Sequence, residues 1–103
     1  MTASYVLSSG AEVDLRDIIR YTRKQWGDAQ TRIYVAKLQA CIESVAAGLG
    51  FFREMSALYP ALRMGACQHH FIFCLPRDEA PTLVVAILHE RMDLMARVAD
   101  RLK

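Results

Sequence analysis

The side chains best suited to chemistry are three histidines and the carboxylate that follows one of them. His69 and His70 are adjacent in a strand-like segment, His89 ends another, and Asp93 follows four residues later. An imidazole beside a carboxylate can act as a general base with its orienting partner. The alternative is that His89 ties a strand to a helix by a hydrogen bond and Asp93 stabilises the first turn of that helix. Neighbouring strand residues point to opposite faces, so we expect one of His69 and His70 to be packed and the other exposed.

The cysteines and histidines also raise the question of a metal site. Cys67, His69, His70 and Cys74 supply suitable ligand types, but their spacing matches no zinc pattern. Together with Cys41 the chain has three cysteines, an odd number without C-x-x-C spacing. We therefore predict no metal, no cofactor and no disulfide, and a protein of the reducing cytoplasm.

Length and charge limit the classes of protein to consider. The chain has 103 residues, enough for one domain (1–103), and 53% of them are apolar. The net charge of +2 is too small to indicate direct sequence-specific binding of nucleic acid. The N-terminus has no charged segment followed by an apolar one, and no apolar run approaches 18 residues. We therefore expect neither a signal peptide nor a membrane span.

The first half of the chain predicts a short strand and two helices. Tyr5 to Leu7 is prone to form a strand, and Ser9 with Glu12 fits a capping box at a helix start. This helix should end at Gly27, and Asp28 should cap the next one, so a single Gly-Asp step predicts an antiparallel helical hairpin. Gly48 and Gly50 should end the second helix. The apolar positions predicted for the first helix are Leu15, Ile18, Ile19, Thr22 and Trp26, and those for the second are Tyr34, Leu38, Cys41, Ile42, Val45 and Leu49.

The second half predicts a sheet and a closing helix. Strand-like runs cover 62–66, 71–75 and 82–88, with a turn rich in proline and charge over 76–81. Residues 90–102 predict a short helix. The expected fold is α+β, with an N-terminal strand, a helical hairpin, a three-stranded antiparallel sheet and a C-terminal helix, both hairpin faces packing on one face of the sheet.

Five segments in this order resemble one known family. They are DLRDIIRYTRKQWG, AQTRIYVAKL, PALRMG, HHFIFCL and VVAILHERMD. Together they are similar to the RelE/ParE toxin superfamily, and specifically to its ParE branch, over nearly the whole chain. Some positions differ from the usual pattern, because Cys74 replaces a typical Tyr, Thr31 and Ile33 lie near a commonly small position, and the connection after the second helix lacks an Asn-Pro turn.

The resemblance implies a function and a partner. ParE-like proteins are toxins of type II toxin–antitoxin modules, and each is neutralised by a small antitoxin whose C-terminal segment is disordered until it binds. The resemblance implies growth inhibition by binding DNA gyrase, without catalysis. The alternatives are a ribosome-dependent mRNA endonuclease of the RelE type and a degenerate toxin that retains only antitoxin binding.

The distribution of cations favours the binding toxin over the endonuclease. No Lys falls between Lys37 and Lys103, and no Tyr follows Tyr59. RNA cleavage needs a general base and several cations around the phosphate, so the sequence lacks the dense cluster of the ribonuclease branch. No catalytic residue is assigned. The candidate contacts to target or antitoxin are Trp26, Arg63, His70, His89, Arg91, Asp93 and Arg97.

Overall fold

Two helices and five strands form in residues 5–49 and 52–102, the part of the chain that this computed structural model describes. The α+β class is as predicted. Gly50, predicted as a helix end, and Lys103 lie outside the described residues. The elements are β1 (Tyr5–Leu7), α1 (Ser9–Ala47), β2 (Arg53–Glu54), β3 (Arg63–Cys67), β4 (His70–Arg77), β5 (Ala80–His89) and α2 (Leu94–Arg101).

Helix α1 consists of two arms separated by Gly27. Gly27 has φ 85° and ψ 175°, which interrupts the helical backbone and favours a residue without Cβ. A straight helix of 39 residues would measure about 58 Å, whereas the longest dimension of the molecule is 39 Å. Both arms, 9–26 and 28–47, contribute to one buried cluster. The predicted hairpin is therefore present.

The helix starts one residue earlier than the predicted capping box. Ser8 has extended backbone angles, and its hydroxyl accepts a hydrogen bond from the amide of Ala11 at 3.0 Å. The same hydroxyl donates to the carbonyl of Val85 at 3.0 Å. The prediction of Ser9 as the cap was wrong, because Ser8 both caps the helix and bonds to the sheet. At the other end, Gly48 with φ 76° is the left-handed cap of α1.

The sheet is five-stranded and mixed, in the order β1-β5-β4-β3-β2. Strand β1 pairs in parallel with β5, and the other neighbours are antiparallel. The predicted three-stranded antiparallel sheet is its centre, β3-β4-β5, but two edge strands were not assigned to it. The turn between β4 and β5 is tighter than predicted, because Pro76 lies within β4 where the register shifts.

Each face of the sheet has its own buried cluster. Ile72 and Cys74 belong to the cluster that includes both arms of α1, and Phe73 between them belongs to the cluster that includes α2. This alternation follows from the period of two along a strand. Trp26 and Leu49 were predicted to pack but are 70% and 66% exposed, since Trp26 ends the first arm of α1 and Leu49 follows the Gly48 cap of the second.

A partly buried ion pair joins both helices to β5. The Arg101 guanidinium donates to the two carboxylate oxygens of Asp14 at 2.7 and 2.9 Å. Asp14 Oδ2 also accepts the amide of Ile87 at 2.9 Å, and Arg101 donates to the Val85 carbonyl at 3.2 Å. The pairing of β5 with β1 extends to Val84. Beyond it, these contacts give hydrogen-bond partners to the backbone carbonyl of Val85 and the backbone amide of Ile87. The hydrogen bonds to Asp14 raise the pKa of Arg101.

The C-terminal helix is shorter than predicted. It spans Leu94–Arg101 and not residues 90–102, because the Asp93 carboxylate accepts the Ala96 amide at 3.4 Å and caps the helix there. The residues between β5 and Asp93 form a turn. Val98 is the fully buried anchor of α2 on the sheet.

A disulfide contradicts the prediction that all three cysteines are reduced. Cys41 in the second arm of α1 and Cys67 in β3 are bonded, with their Cα atoms 6.0 Å apart. Their separation of 26 residues contains no local signal, because the packing of the hairpin on the sheet brings them together. Cys74 is a free buried thiol, and burial raises its pKa to about 12.

Candidate functional site

Three histidines meet where β4 and β5 adjoin the tip of the hairpin. His70 and His89 are register partners on the two strands, and their rings lie edge to face with centroids 5.2 Å apart. His69 stacks near His89 with centroids 6.5 Å apart. His69 is exposed and His70 is partly buried, as expected for one of the two, but the reason differs, because His69 lies in the turn before β4 and not on a strand.

Tyr34 connects the histidine cluster to α1. Its hydroxyl lies 2.6 Å from Nδ1 of His70. Burial, together with the smaller effect of the neighbouring imidazoles of His89 and His69, lowers the pKa of His70 to about 4. The ring is therefore neutral near pH 7, so its unprotonated Nδ1 can accept the Tyr34 proton. Burial also raises the pKa of Tyr34, which keeps this phenol as a donor.

His89 does not pair with Asp93. Its Nδ1 accepts the backbone amide of Arg91 at 3.1 Å, which fixes the turn after β5. Asp93 instead caps α2. The arrangement of a base with its orienting carboxylate is thus not formed, and the alternative of a structural His89 fits the geometry. Across the turn, His69 Nδ1 lies 3.1 Å from the Glu90 carboxylate in an exposed contact.

Two neighbouring grooves run along the hairpin beside these histidines, and we call them together the aromatic groove. Their volumes are about 510 and 350 Å³, and Tyr21 lines both. Tyr21 and Trp26 are 64% and 70% exposed, and Met92 is 42% exposed. The first part is lined by Tyr21, Thr22, Trp26, Gln30, Tyr34 and His69, and the second by Asp14, Asp17, Ile18, Tyr21, His70, Ile87, His89, Arg91 and Met92.

Four of the seven predicted contact residues line the aromatic groove: Trp26, His70, His89 and Arg91. Arg63 lies elsewhere, because its guanidinium donates to the carbonyls of Val45 and Ala46 at 3.2 and 3.3 Å and lies 4.9 Å from the ring centre of Phe52. This position at the end of α1 gives Arg63 a structural role.

The other two predicted contact residues lie on or next to α2. Asp93 is its N-cap, and the backbone amide of Arg97 donates to the Asp93 carbonyl at 3.1 Å. The Arg97 side chain is exposed. Tyr21, which lines both parts of the groove, was not among the predicted contact residues. Its position gave a signal, because an aromatic residue outside the apolar stripe of its helix is expected to be exposed.

The groove offers little for phosphate chemistry. Within the described part of the chain, Arg91 is the single Arg or Lys that lines it. No three His, Cys, Asp or Glu side chains among the described residues are arranged to hold a metal ion. The arrangement can bind an apolar or aromatic group of a partner, since exposed aromatic side chains are frequent anchors at protein interfaces.

Comparison with known proteins shows the family. Residues 5–94 match the family described as the ParE toxin of the type II toxin–antitoxin system, parDE. The chain belongs to the ParE toxin family. Toxin ParE from Escherichia coli is 65% identical over 103 residues, which cover 100% of this chain and 99% of that protein.

More distant members of the ParE family match over most of their length. Toxin ParE1 from Mycobacterium tuberculosis and Toxin ParE1 from Caulobacter vibrioides are each 32% identical over 94 residues, which cover 91% of this chain and 96% of each relative. Membership in a type II toxin–antitoxin system implies an antitoxin partner. In the described residues, no helix is both long and apolar enough to cross a membrane.

Proposed function

We propose that this ParE-family chain stops bacterial growth by binding a topoisomerase such as DNA gyrase, without cleaving a substrate. The observation that carries the proposal is the aromatic groove, in which Tyr21 and Trp26 keep most of their surface exposed. Truncating a buried aromatic anchor at a protein interface often costs more than 1 kcal/mol of binding free energy. Both side chains therefore fit a protein target.

The histidine cluster supports binding over RNA cleavage. Nδ1 of His70 is engaged by Tyr34, and burial holds the ring neutral with a pKa of about 4. Nδ1 of His89 accepts the amide of Arg91. Cleavage through a phosphorane also needs several cations around the phosphate, and the groove supplies one. A ribosome-dependent endonuclease is therefore the less favoured function.

We further propose that the antitoxin neutralises the chain with a C-terminal segment that orders on binding. Strand β2 pairs with β3 only at Arg63 and Met64, so in the described part of the chain the outer edge of β3 at 65–67 has no neighbouring strand. Such an edge can accept an added strand, while the exposed side of the hairpin can accept a helix. Folding on binding is costly, so tight neutralisation needs an interface of about 1,500 Å² or more.

Two assays with the purified toxin distinguish the possible targets. We expect the chain to inhibit DNA supercoiling by gyrase and to leave cell-free translation unaffected. Inhibition of translation alone, with cleaved mRNA, would replace this proposal with the RelE-type endonuclease. No effect in either assay, together with retained antitoxin binding, would identify a degenerate toxin.

Variants of the groove test the contact surface itself. Tyr21→Ala and Trp26→Ala should each raise the concentration for half-inhibition of gyrase by about tenfold or more, as expected for interface anchors. Ile33→Ala is the matched control, because Ile33 is 50% exposed on the same hairpin and does not line the aromatic groove. Equal inhibition by all three variants would remove the groove from the proposal.

A further inference from the structure

A second groove on the hairpin has five basic side chains in its lining. Arg16, Arg20, Arg23 and Lys24 of the first arm line a shallow cavity of about 370 Å³. Arg23 also lines the adjoining cavity of about 500 Å³, where Arg32 of the second arm lies opposite. We call the two cavities the cationic groove. Its residues belong to none of the sites described above.

The cations of this groove are only partly neutralised. Asp28 pairs with Arg23 at 3.0 Å, and Asp17 lies 3.9 Å from Arg20. No carboxylate in the described residues forms an ion pair with Arg16, Lys24 or Arg32. The five cations and the two carboxylates that pair with them sum to +3 (5 − 2), whereas the whole chain has a net charge of +2. The excess of positive charge is therefore concentrated on this part of the hairpin.

The composition of the groove favours phosphate over a protein surface. Beside the cations, its described lining consists of Thr31, Gln39, the aliphatic Ile19, Val35 and Ala36, and one carboxylate, Asp28, which is paired with Arg23, and it includes no aromatic side chain. Hot spots at protein interfaces are enriched in Trp, Tyr and Arg, and of these three the described lining of the groove offers arginine alone. Arginine guanidinium groups bind phosphate oxygens with two parallel hydrogen bonds.

The spacing of the cations suits an extended polyanion. Arg16, Arg20 and Lys24 follow one another at intervals of four residues, so they form a row with steps of about 6 Å along the helix. Arg32 lies on the other side of the groove. A row of this kind can contact several phosphates of one strand, whereas a single small anion would use one or two of these groups.

We propose that the cationic groove binds the phosphate backbone of nucleic acid without reading its sequence. Binding of this kind is electrostatic, weakens steeply with salt and has dissociation constants of about 10⁻⁴–10⁻⁶ M at physiological salt. It agrees with the expectation that the chain makes no direct sequence-specific contacts to bases. It is independent of the proposed topoisomerase target and adds a second binding surface to the toxin.

The test is a titration of the full chain into two fluorescent duplex DNAs of unrelated sequence at several salt concentrations. We expect equal affinity for both duplexes. The double variant Arg16→Gln with Arg32→Gln should raise the dissociation constant at low salt at least tenfold. It should also reduce the slope of log affinity against log salt by about 2, since each lost phosphate contact contributes about 0.9.

A matched double variant separates the groove from net charge. Arg53→Gln with Arg97→Gln removes two exposed arginines that do not line the cationic groove, and it should change the dissociation constant by less than threefold. Circular dichroism would establish that both variants are folded. No binding of DNA by the wild-type chain at 50 mM salt, or equal losses in both variants, would overturn the proposal.

Polyglutamate with the same total charge as the duplex tests an acidic protein segment as the alternative ligand. The proposal predicts that it competes poorly with duplex DNA. If the Arg16 and Arg32 substitutions abolished polyglutamate binding and left DNA binding intact, the groove would be a site for acidic protein. Gyrase inhibition plays no part in these measurements, so failure here would leave the proposed target unaffected.

Discussion

His70 is a titratable residue that the fold uses to join a helix to the sheet. Its Nδ1 lies 2.6 Å from the Tyr34 hydroxyl, and its ring packs against His89. The position within a strand predicted that one of the two adjacent histidines would be packed. The partner Tyr34 was not predicted, because it is 36 positions away and was assigned to the helix core.

Replacing both His70 and His89 by Gln should leave toxicity largely intact. The side-chain amide of Gln has a shape close to that of imidazole. Its oxygen can accept a hydrogen bond from the Tyr34 hydroxyl at position 70 and from the Arg91 backbone amide at position 89, which are the contacts that the two rings make. Growth inhibition after induction measures toxicity, and a thermal melt verifies folding. Loss of toxicity in a folded double variant would revive the endonuclease hypothesis.

The stability of the chain should decrease in acid because of His70. The folded pKa is about 4 and the ordinary value is 6.5, so the unfolded chain binds the proton first as pH falls. The free energy of unfolding should therefore fall between pH 6.5 and 4, by about 1 kcal/mol at pH 5 after allowance for partial exposure. The other groups at the ring are Tyr34, His69, His89 and Glu90.

Urea unfolding at pH 7.5 and pH 5 measures this effect, with His70→Gln as the control. The variant retains the carboxylates and the other histidines, so the difference between the two proteins isolates His70. The wild type should lose more stability than the variant on acidification. An equal loss in both proteins would show that the His70 imidazole is not held neutral in the fold.

At the scale of elements, both arms of α1 depend on burial against the sheet. Ile18 belongs to the cluster shared with the sheet and is 9% exposed. Ile18→Ala should lower the free energy of unfolding by about 2–5 kcal/mol. Val13→Ala is the control on the same arm, because Val13 is 48% exposed, and it should cost less than about 0.5 kcal/mol. Similar small losses in both variants would mean that the first arm does not bury this face.

The Cys41–Cys67 disulfide should stabilise the packing of α1 on β3. Closing a loop across 26 residues stabilises a folded chain by about 3–4 kcal/mol through the lost entropy of the unfolded state. Reductant should therefore lower the urea midpoint of the wild type, and Cys41→Ser should be insensitive to it. A wild-type midpoint unchanged by reductant, with no cross-linked peptide after proteolysis, would contradict the bond.

The local elements were predictable from the sequence, and their long-range pairing was not. Gly27, the apolar stripes and the three runs of β-prone residues are local signals, and they predicted the hairpin and the centre of the sheet. The parallel pairing of β1 with β5 joins residues 77 positions apart, as between Tyr5 and Thr82. Strand β2 has only two residues, too few for a period to be visible.

At the scale of the whole molecule, the hairpin presents two different surfaces. The aromatic groove lies beside the histidines, and the cationic groove has five basic side chains of the same two arms in its lining. Trp26 was predicted as both a core and a contact residue, and its exposure depends on its place at the hairpin tip. Periodicity alone does not reveal that place, because it requires knowing where the sheet ends.

Co-expression in a bacterial host tests whether this ParE-family chain is a toxin neutralised by a protein partner. Inducing the chain alone should arrest growth. Co-expressing the small protein encoded beside it should restore growth and give a complex that survives gel filtration, and truncating the C-terminal segment of that partner should abolish rescue. A chain that is folded and harmless when expressed alone, and that captures no such partner, would not be a toxin of a toxin–antitoxin module.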